Sequence, residues 1–304
     1  MNLIAGQYPT IGIVGAGHVG STLGLSLKAC GFKIVSVFSR TPEHADSIAQ
    51  QLDSRVATSA AEVLTSADLT LLTVSDDVIE EVAAEAAKAI KAASVTSQIK
   101  AVVHTSGAYD RQVLAALQPL GWMTGSLHPA LPFAATASSR SDRFYGVTFA
   151  LEADDERLLM WMEQIAQALG ANAFRLKEGQ KVLYHTALAM ASNYTVSLYG
   201  FAEQLLTQAG FSESAAAATL NALLQATVTN LEKKGIPEAL TGPLVRNDTG
   251  TVSQHLRVLH RDAPAGVNAY RALARLTYPL LTARGISTFQ IEHLLQQDEA
   301  SWQD

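Results

Sequence analysis

The sequence predicts an α/β fold, with a doubly wound parallel sheet in the N-terminal part and an all-α C-terminal domain. Two observations support this prediction. Short β-branched runs alternate with helical patterns as far as about residue 175, which is typical of a parallel sheet with crossover helices. After Glu178 the strand patterns nearly vanish, and long helical segments follow that end at glycines. We therefore predict two domains, at residues 1–177 and 178–304.

The apolar runs of the first part predict eight strands, at Thr10–Val14, Lys33–Phe38, Arg55–Thr58, Leu69–Val74, Ala101–Thr105, Gly121–Leu127, Gly146–Leu151 and Asn172–Arg175. Between them we expect helices at Ser21–Cys30, Pro42–Leu52, Ala60–Leu64, Asp77–Ala92, Tyr109–Leu117 and Asp155–Leu169. The second part predicts helices at Gln180–Gly210, Ser212–Lys234, Thr249–His260, Pro264–Ala283 and Ser287–Gln297.

Composition narrows the class of protein. The chain has 304 residues, of which 48% are hydrophobic and 16% are charged, as in globular proteins. The net charge is −6 and no block of basic residues occurs, so nucleic acid is not an expected partner. The single cysteine allows no intramolecular disulfide, and we expect no metal because no Cys/His cluster is present. The N-terminus does not resemble a signal peptide, and the most apolar long stretch is too polar for a membrane span, so we expect a cytoplasmic protein.

The most informative motif is Gly15-x-Gly17-x-x-Gly20, which follows the first strand and opens the first helix. The first glycine allows the tight turn, the second lets the backbone approach a pyrophosphate, and the third allows close packing of helix and strand. The helix N-terminus also favours phosphate groups. Beyond the glycines, the ends of later strands are expected to run beside the cofactor. The predicted cofactor-binding residues of these segments are Gly15, Ala16, Gly17, His18, Val19, Gly20, Val74, Ser75 and Thr105.

The tip of the second strand predicts which dinucleotide binds. NAD-binding proteins place an Asp or Glu there, whereas this chain has Ser39, Arg40 and Thr41. A hydroxyl and a guanidinium favour the 2′-phosphate of NADP. Alternatively, Arg40 is an ordinary surface residue, and Ser39 or Thr41 caps the helix that begins near Pro42.

Polar residues follow two later strands of the predicted sheet. His104, Thr105 and Ser106 follow the fifth strand, and His128 follows the sixth. Because ligands of such sheets lie beyond the carboxyl ends of the strands, His104, Ser106 and His128 are candidate substrate contacts, and His128 is also a candidate acid or base. Alternatively, Ser106 caps the next helix, and His128 only satisfies backbone groups.

The second part of the chain offers two further candidate groups. Lys181, His185 and Asn193 are spaced along one face of the helix that opens it, and they bind either a substrate or neighbouring helices. Arg246 lies in a polar, glycine-containing segment and could bind an anionic substrate. Alternatively, that segment is a capped turn, held by Asp248.

Several phrases of the sequence resemble one family. They are His104-Thr-Ser-Gly-Ala108, Gly125-Ser-Leu-His-Pro129, Tyr184-His185 with Ser192-Asn193-Tyr194, and the stretch from Leu240 to Val252. Nearly the whole chain resembles bacterial Rossmann-like NADP oxidoreductases that carry a C-terminal domain of unknown function. That group lies in the superfamily of 6-phosphogluconate and β-hydroxyacid dehydrogenases, which also contains ketopantoate reductase and pyrroline-5-carboxylate reductase.

The resemblance implies an NADP-dependent oxidoreductase that transfers a hydride to or from a small, anionic carbonyl/hydroxy or imine/amine compound. A ketopantoate reductase-like activity is the leading specific hypothesis. The hydroxyacid dehydrogenases of this superfamily place a lysine and, four residues later, an asparagine beside the nicotinamide. Here Lys181 takes the lysine position, His185 takes the asparagine position, and Asn193 lies two turns further on. This departure leaves either His185 or Lys181 as the proton donor.

Ser106, His128, Asn193 and Arg246 would then orient the substrate. Helical domains of this superfamily usually form dimers, and the small residues Ala187 and Ala191 fit a homodimer. The alternative hypothesis is a non-catalytic NADP-binding regulatory or scaffold protein, which would need no converging acid and base groups.

Overall fold

A computed structural model describes residues 8–93, 100–133 and 143–296 of the chain. The chain divides into two compact units, Met1–Ser192 and Asn193–Asp304. The helix that carries Lys181 and His185 therefore belongs to the sheet-containing unit. The domain boundary at residues 177/178 stays a prediction, since the units divide after that helix.

One eight-stranded sheet forms the centre of the first unit, in the order β3-β2-β1-β4-β5-β6-β7-β8. The strands are β1 Ile11–Val14, β2 Ile34–Phe38, β3 Arg55–Val56, β4 Leu69–Leu72, β5 Ala101–His104, β6 Met123–Pro129, β7 Thr148–Ala153 and β8 Asn172–Arg175. The first six strands, β1 to β6, all run parallel, which confirms the predicted fold class. The pair β6 and β7 is antiparallel, so the last two strands run opposite to the others. The sequence pattern did not predict this reversal.

Helices cover both faces of the sheet. They are α1 His18–Ala29, α2 Pro42–Leu52, α3 Ala60–Ser66, α4 Ile79–Ala92, α5 Glu156–Ala168 and α6 Lys181–Ala191, with 3₁₀ helices at Asp76–Val78 and Arg111–Leu120. The segment predicted as a helix at Tyr109–Leu117 is instead a 3₁₀ helix that begins and ends later in the chain, at Arg111–Leu120. Gly121, which follows it, is left-handed with φ 75°.

The alternation of side chains along β1 builds a hydrophobic core on each face of the sheet. Ile11 and Ile13 join the core that includes α1, α2 and α5. Val14 points to the other face and joins the core that includes α3, α4 and the second 3₁₀ helix. Each face is therefore covered, which explains why the central strands β1, β4 and β5 are buried along their whole length.

The second unit is helical. It contains α7 Asn193–Gln208, α8 Glu213–Lys234, α9 Thr249–Asp262, α10 Val267–Leu276, α11 Tyr278–Ala283 and α12 Phe289–Gln296, with a 3₁₀ turn at Pro264–Gly266. Its core joins side chains of α9, α10 and α12, among them Val252, Leu256 and Ile291. The helix predicted at Gln180–Gly210 is divided at Ser192, and the helix predicted at Pro264–Ala283 is divided at Thr277. Within the described ranges, no helix has the length and hydropathy needed to cross a membrane.

Candidate functional site

A cleft of about 500 Å³ lies where the strand order reverses, beyond the carboxyl ends of β1, β2 and β4. Ligands of doubly wound sheets bind at this position. Seven of the predicted cofactor-binding residues line this cleft: Gly15, Ala16, Gly17, Ser39, Arg40, Val74 and Ser75. Thr73, Thr41, His44, Glu81 and Glu85 also line it and were not predicted.

Each of the three glycines of the motif is required for a different steric reason. Gly15 has φ 105°, and a Cβ there would lie 2.7 Å from the carbonyl oxygen of Thr73. A Cβ on Gly20 would overlap the carbonyl oxygen of Gly15. A Cβ on Gly17 would meet no atom of the described chain within 4 Å. Gly17 therefore faces open space at the first turn of α1, as close approach of a pyrophosphate requires.

Ser39 and Arg40 lie between the end of β2 and the start of α2. Thr41 is the N-cap residue of α2, but its side chain makes no capping hydrogen bond in the described structure. Pro42 has no N–H and the His44 N–H donates to the Thr41 carbonyl oxygen, so α2 offers an anion chiefly the positive end of its dipole, beside the exposed Arg40 guanidinium. This arrangement fits a 2′-phosphate group.

The remaining predicted cofactor residues have other positions. His18 and Val19 form the first turn of α1, with His18 exposed. Thr105 follows β5, and its backbone N–H donates to the carbonyl oxygen of Leu72 at 3.1 Å. None of these three residues lines the described cleft, and neither does Gly20, so the contacts of these four residues with a cofactor stay predictions.

Substituting Arg40 with alanine is expected to weaken NADPH binding between about 10-fold and 100-fold, because charge-assisted hydrogen bonds contribute about 1.5–3 kcal/mol. NADH lacks the 2′-phosphate, so its dissociation constant should change little. Fluorescence titration with both nucleotides measures the effect, with substitution of the exposed Arg157 on α5 as control. An equal loss for both nucleotides would contradict the assignment.

A second group of polar residues is buried around the N-terminus of α6. Lys181, only 2% exposed, donates from Nζ to the Ser126 hydroxyl at 2.6 Å. Ser126 in turn donates to Glu152 Oε2 at 3.4 Å, across the antiparallel pair β6 and β7. Burial lowers the pKa of Lys181 to about 8, although Glu152 and other carboxylates oppose this. Burial also raises the pKa of the Glu152 carboxyl. Lys181 can therefore exchange a proton near neutral pH.

His104 is fully buried and has both ring nitrogens bonded to backbone. Its Nδ1 accepts from the Ser106 N–H at 3.2 Å, so its Nε2–H donates to the Asp110 carbonyl at 3.1 Å. The pKa of His104 is lowered to about 4, mainly because the ring is buried. This geometry favours a structural role for His104 in the loop after β5, and its predicted contact with substrate stays a prediction.

Ser106 connects that loop to the cofactor cleft. Its hydroxyl donates to Asp76 Oδ2 at 2.7 Å and accepts from the N–H groups of Ala108 and Tyr109. Asp76 directly follows Ser75, which lines the cleft. The hydroxyl therefore holds the loop in the manner of a cap, the structural alternative considered for it.

His128 and His185 contact the same loop, and Tyr184 contacts His128. His128 Nδ1 lies 3.0 Å from the Tyr184 hydroxyl, and the rings of His128 and His185 meet edge to face. A Cβ on Gly107 would overlap His185 Nδ1 and lie 2.8 Å from His128 Nε2. His185 Nδ1 is buried and has no hydrogen-bond partner among the described residues. Such an atom is costly unless another group supplies its partner.

The structure thus brings Lys181, His185, His128 and Ser106 into one unit beside the cleft. Asn193 and Arg246 belong to the second unit, Asn193 at the start of α7 and Arg246 exposed in the loop before α9. Their roles stay predictions. Asp248 caps α9 by accepting from the Thr251 N–H, as the structural alternative for that segment predicted.

The sequence patterns did not single out Ser126, Glu152, Asp76, Gly107 or Tyr184 as site residues. The spacing of Tyr184 and Lys181 on one helix was the available signal, but pairing across β6 and β7 has no local sequence pattern. Within the described part of the chain, no group of three His, Cys, Asp or Glu residues could hold a metal ion.

Comparison with protein families gives two matches. Residues 10–99 match the family described as NADP oxidoreductase, coenzyme F420-dependent. Residues 147–277 match a domain of unknown function, DUF2520. No curated protein matches the chain significantly. The matches confirm the resemblance to NADP oxidoreductases with such a C-terminal domain, and they confirm NADP as the predicted cofactor at the level of the family.

Solved structures share the fold over most of the chain. A Bacteroides fragilis protein assigned as an NADP oxidoreductase is 25% identical, with a TM-score of 0.68, and the match covers 90% of this chain and 98% of that one. An imine reductase from a Pseudomonas species is 17% identical, with a TM-score of 0.64 and coverage of 97% and 98%. A pyrroline-5-carboxylate reductase from Coxiella burnetii is 18% identical, with a TM-score of 0.57 and coverage of 96% and 100%.

Proposed function

Starting from the NADP oxidoreductase match, we propose that this protein is an NADPH-dependent reductase of a small carbonyl or imine compound. The observation that carries the proposal is the buried, unpartnered Nδ1 of His185. It belongs to a polar cluster that Ser106 and Asp76 connect to the cofactor cleft. A polar atom of a substrate would supply the partner that His185 Nδ1 lacks in the described structure.

The chain's own residues would act on the proton and on substrate position. When bound, NADPH would supply the hydride to the carbonyl or imine carbon. His185 in its protonated form would donate a proton from Nδ1 to the substrate oxygen or nitrogen and become neutral. Lys181 is the alternative donor, but its ammonium is buried against Ser126, which favours an electrostatic role. Its positive charge would stabilise negative charge that develops on the substrate.

An anionic substrate is proposed because Lys181 provides a buried positive charge. Asn193 and Arg246 remain proposed contacts for the rest of the substrate, together with Ser106 and His128. The ketopantoate reductase-like activity is a specific form of this proposal, tested by complementation of a pantothenate-requiring strain. Imines enter the proposal because the neighbours with this fold include an imine reductase and a pyrroline-5-carboxylate reductase.

The test is a screen of small carbonyl and imine compounds, with and without a carboxylate, for oxidation of NADPH by the full-length protein. We expect turnover with at least one compound and faster turnover with its carboxylate form. Tight NADPH binding with no turnover of any compound would favour the non-catalytic regulatory protein.

We also propose that the protein is a homodimer through its helical unit. Helix α8 leaves Leu223 61% exposed and Val228 52% exposed, and a partner subunit would bury such side chains. Light scattering is expected to give twice the mass of the chain. A cytoplasmic location also stays a proposal from the sequence.

The burial of Lys181 predicts how stability depends on pH. Its pKa of about 8 in the folded protein lies below its ordinary value of 10.5, so the unfolded chain binds more protons between these values. Stability should therefore rise from pH 8 to pH 10.5, by about 3 kcal/mol from this group. Urea unfolding of wild type and of Lys181→Met measures the contribution as the difference between them, with the exposed Lys88→Met as control. Parallel curves for wild type and Lys181→Met would contradict the prediction.

A further inference from the structure

Two imidazole nitrogens converge on Gly107, in the loop after β5. His185 Nδ1, from α6, and His128 Nε2, from β6, both lie within reach of the position that a Cβ on this residue would take. The backbone of Gly107 does not have the positive φ at which glycine is favoured. A glycine is therefore needed because the two imidazole nitrogens approach its Cα closely, and not because of its backbone conformation.

The Tyr184 hydroxyl and His128 Nδ1 form a hydrogen bond, and the direction of this bond decides which nitrogen of His128 carries the proton. Burial is the main cause that lowers the pKa of His128 to about 3, with Lys181 contributing, so the ring is neutral and has one N–H. Burial raises the pKa of Tyr184 to about 12, so the phenol keeps its proton. A phenol O–H that donates to Nδ1, 3.0 Å away, places the imidazole proton on Nε2.

We propose that the Tyr184 hydroxyl donates to His128 Nδ1, and that Tyr184 is thereby a positioning residue that directs the Nε2–H of His128 to the reacting oxygen or nitrogen of the substrate, where the two imidazoles converge. This inference rests on the proposed function and specifies its binding position. The polar atom of a C=O or C=N group would accept from His128 Nε2–H. It would lie next to His185 Nδ1, which is buried and unpartnered within the described chain.

His128 and His185 together account for the electron pair and the proton of the proposed reduction. When the hydride adds to the substrate carbon, the π electron pair of C=O or C=N moves onto the oxygen or nitrogen. The Nε2–H of His128 stabilises that charge without leaving its ring, and the proton of His185 completes the alcohol or amine. Donors aimed at the atom where charge develops are worth about 10²–10³ in turnover.

The first test is nitrogen-15 NMR of the histidine rings in the full-length protein, with His128 assigned by its substitution with Gln. We expect the proton on Nε2 in wild type and a mixture of both tautomers in Tyr184→Phe. The exposed Tyr194→Phe is the matched control and should leave the tautomer unchanged. A proton on Nδ1 in wild type overturns the inference.

The second test uses turnover with a substrate from the screen. Tyr184→Phe should lower kcat at least about 10-fold, since an oriented donor is lost, while the NADPH dissociation constant stays unchanged. Gly107→Ala should displace the two imidazoles and abolish turnover, and unchanged NADPH affinity would show that the variant folds. Wild-type kcat in Tyr184→Phe overturns the inference.

The two proposals fail in different ways. The tautomer is measured without substrate, so a proton on Nδ1 counts against the role of Tyr184 and not against the reductase. A screen without turnover counts against the reductase.

Discussion

Replacing His185 with alanine is expected to lower turnover between about 100-fold and 10,000-fold, the range that general acid catalysis contributes. The reason is that His185 Nδ1 has no partner in the described protein, so the substrate is its proposed partner. NADPH binding should be unchanged, because His185 does not line the described cleft. Steady-state kinetics and NADPH titration measure the two effects separately.

Two variants sharpen this experiment. His185→Asn restores the residue type of the resembled dehydrogenases, and it should recover substrate binding but not the proton transfer. His293→Ala removes an exposed histidine on α12 and should leave kinetics unchanged. Wild-type turnover in His185→Ala would transfer the role of proton donor to Lys181.

The second large effect concerns the glycine motif, where two alanine substitutions should act in different ways. Gly20→Ala is expected to destabilise the fold by about 1–3 kcal/mol or more, because its Cβ would overlap the Gly15 carbonyl oxygen and the Thr73 hydroxyl. Gly17→Ala should cost less, about 0.5–1 kcal/mol, because Gly17 is the N-cap residue of α1, where glycine is preferred to alanine, while no described atom lies near the added Cβ.

NADPH affinity separates the two variants further. Gly17→Ala should weaken it at least about 10-fold, since the Cβ enters the space proposed for the pyrophosphate. Urea unfolding without nucleotide gives the stability, and titration gives the affinity. If Gly17→Ala binds NADPH as tightly as wild type does, the pyrophosphate is not at this turn.

The sequence was sufficient to predict the fold class and most of the cofactor cleft. Gly15, Gly17, Ser39 and Arg40 lie close to the ends of strands that alternate with helices, so local pattern fixes their position in space. The same holds for Val74 and Ser75 at the end of β4. These residues could be predicted because each depends on only one strand end.

The polar cluster could be predicted only in part. Lys181, His185 and His128 stand out as polar residues in apolar segments, but their partners are distant along the chain. Ser126 and Glu152 meet through strand pairing, and Gly107 meets His185 through packing of α6. Such pairings depend on tertiary structure, which a single sequence does not display.

The reversal of direction at β7 has a consequence for how mutations can alter this protein. Ser126 and Glu152 are directly opposed in the β6–β7 register. Inserting or deleting a single residue in β7 would turn Glu152 to the opposite face of the sheet, because side chains alternate along a strand. The Lys181 ammonium would then lose its nearby buried carboxylate, although no residue of the cluster had been substituted. The electrostatic environment of Lys181, one turn of α6 before His185, is thus sensitive to the length of β7, although no residue of β7 lines the cofactor cleft.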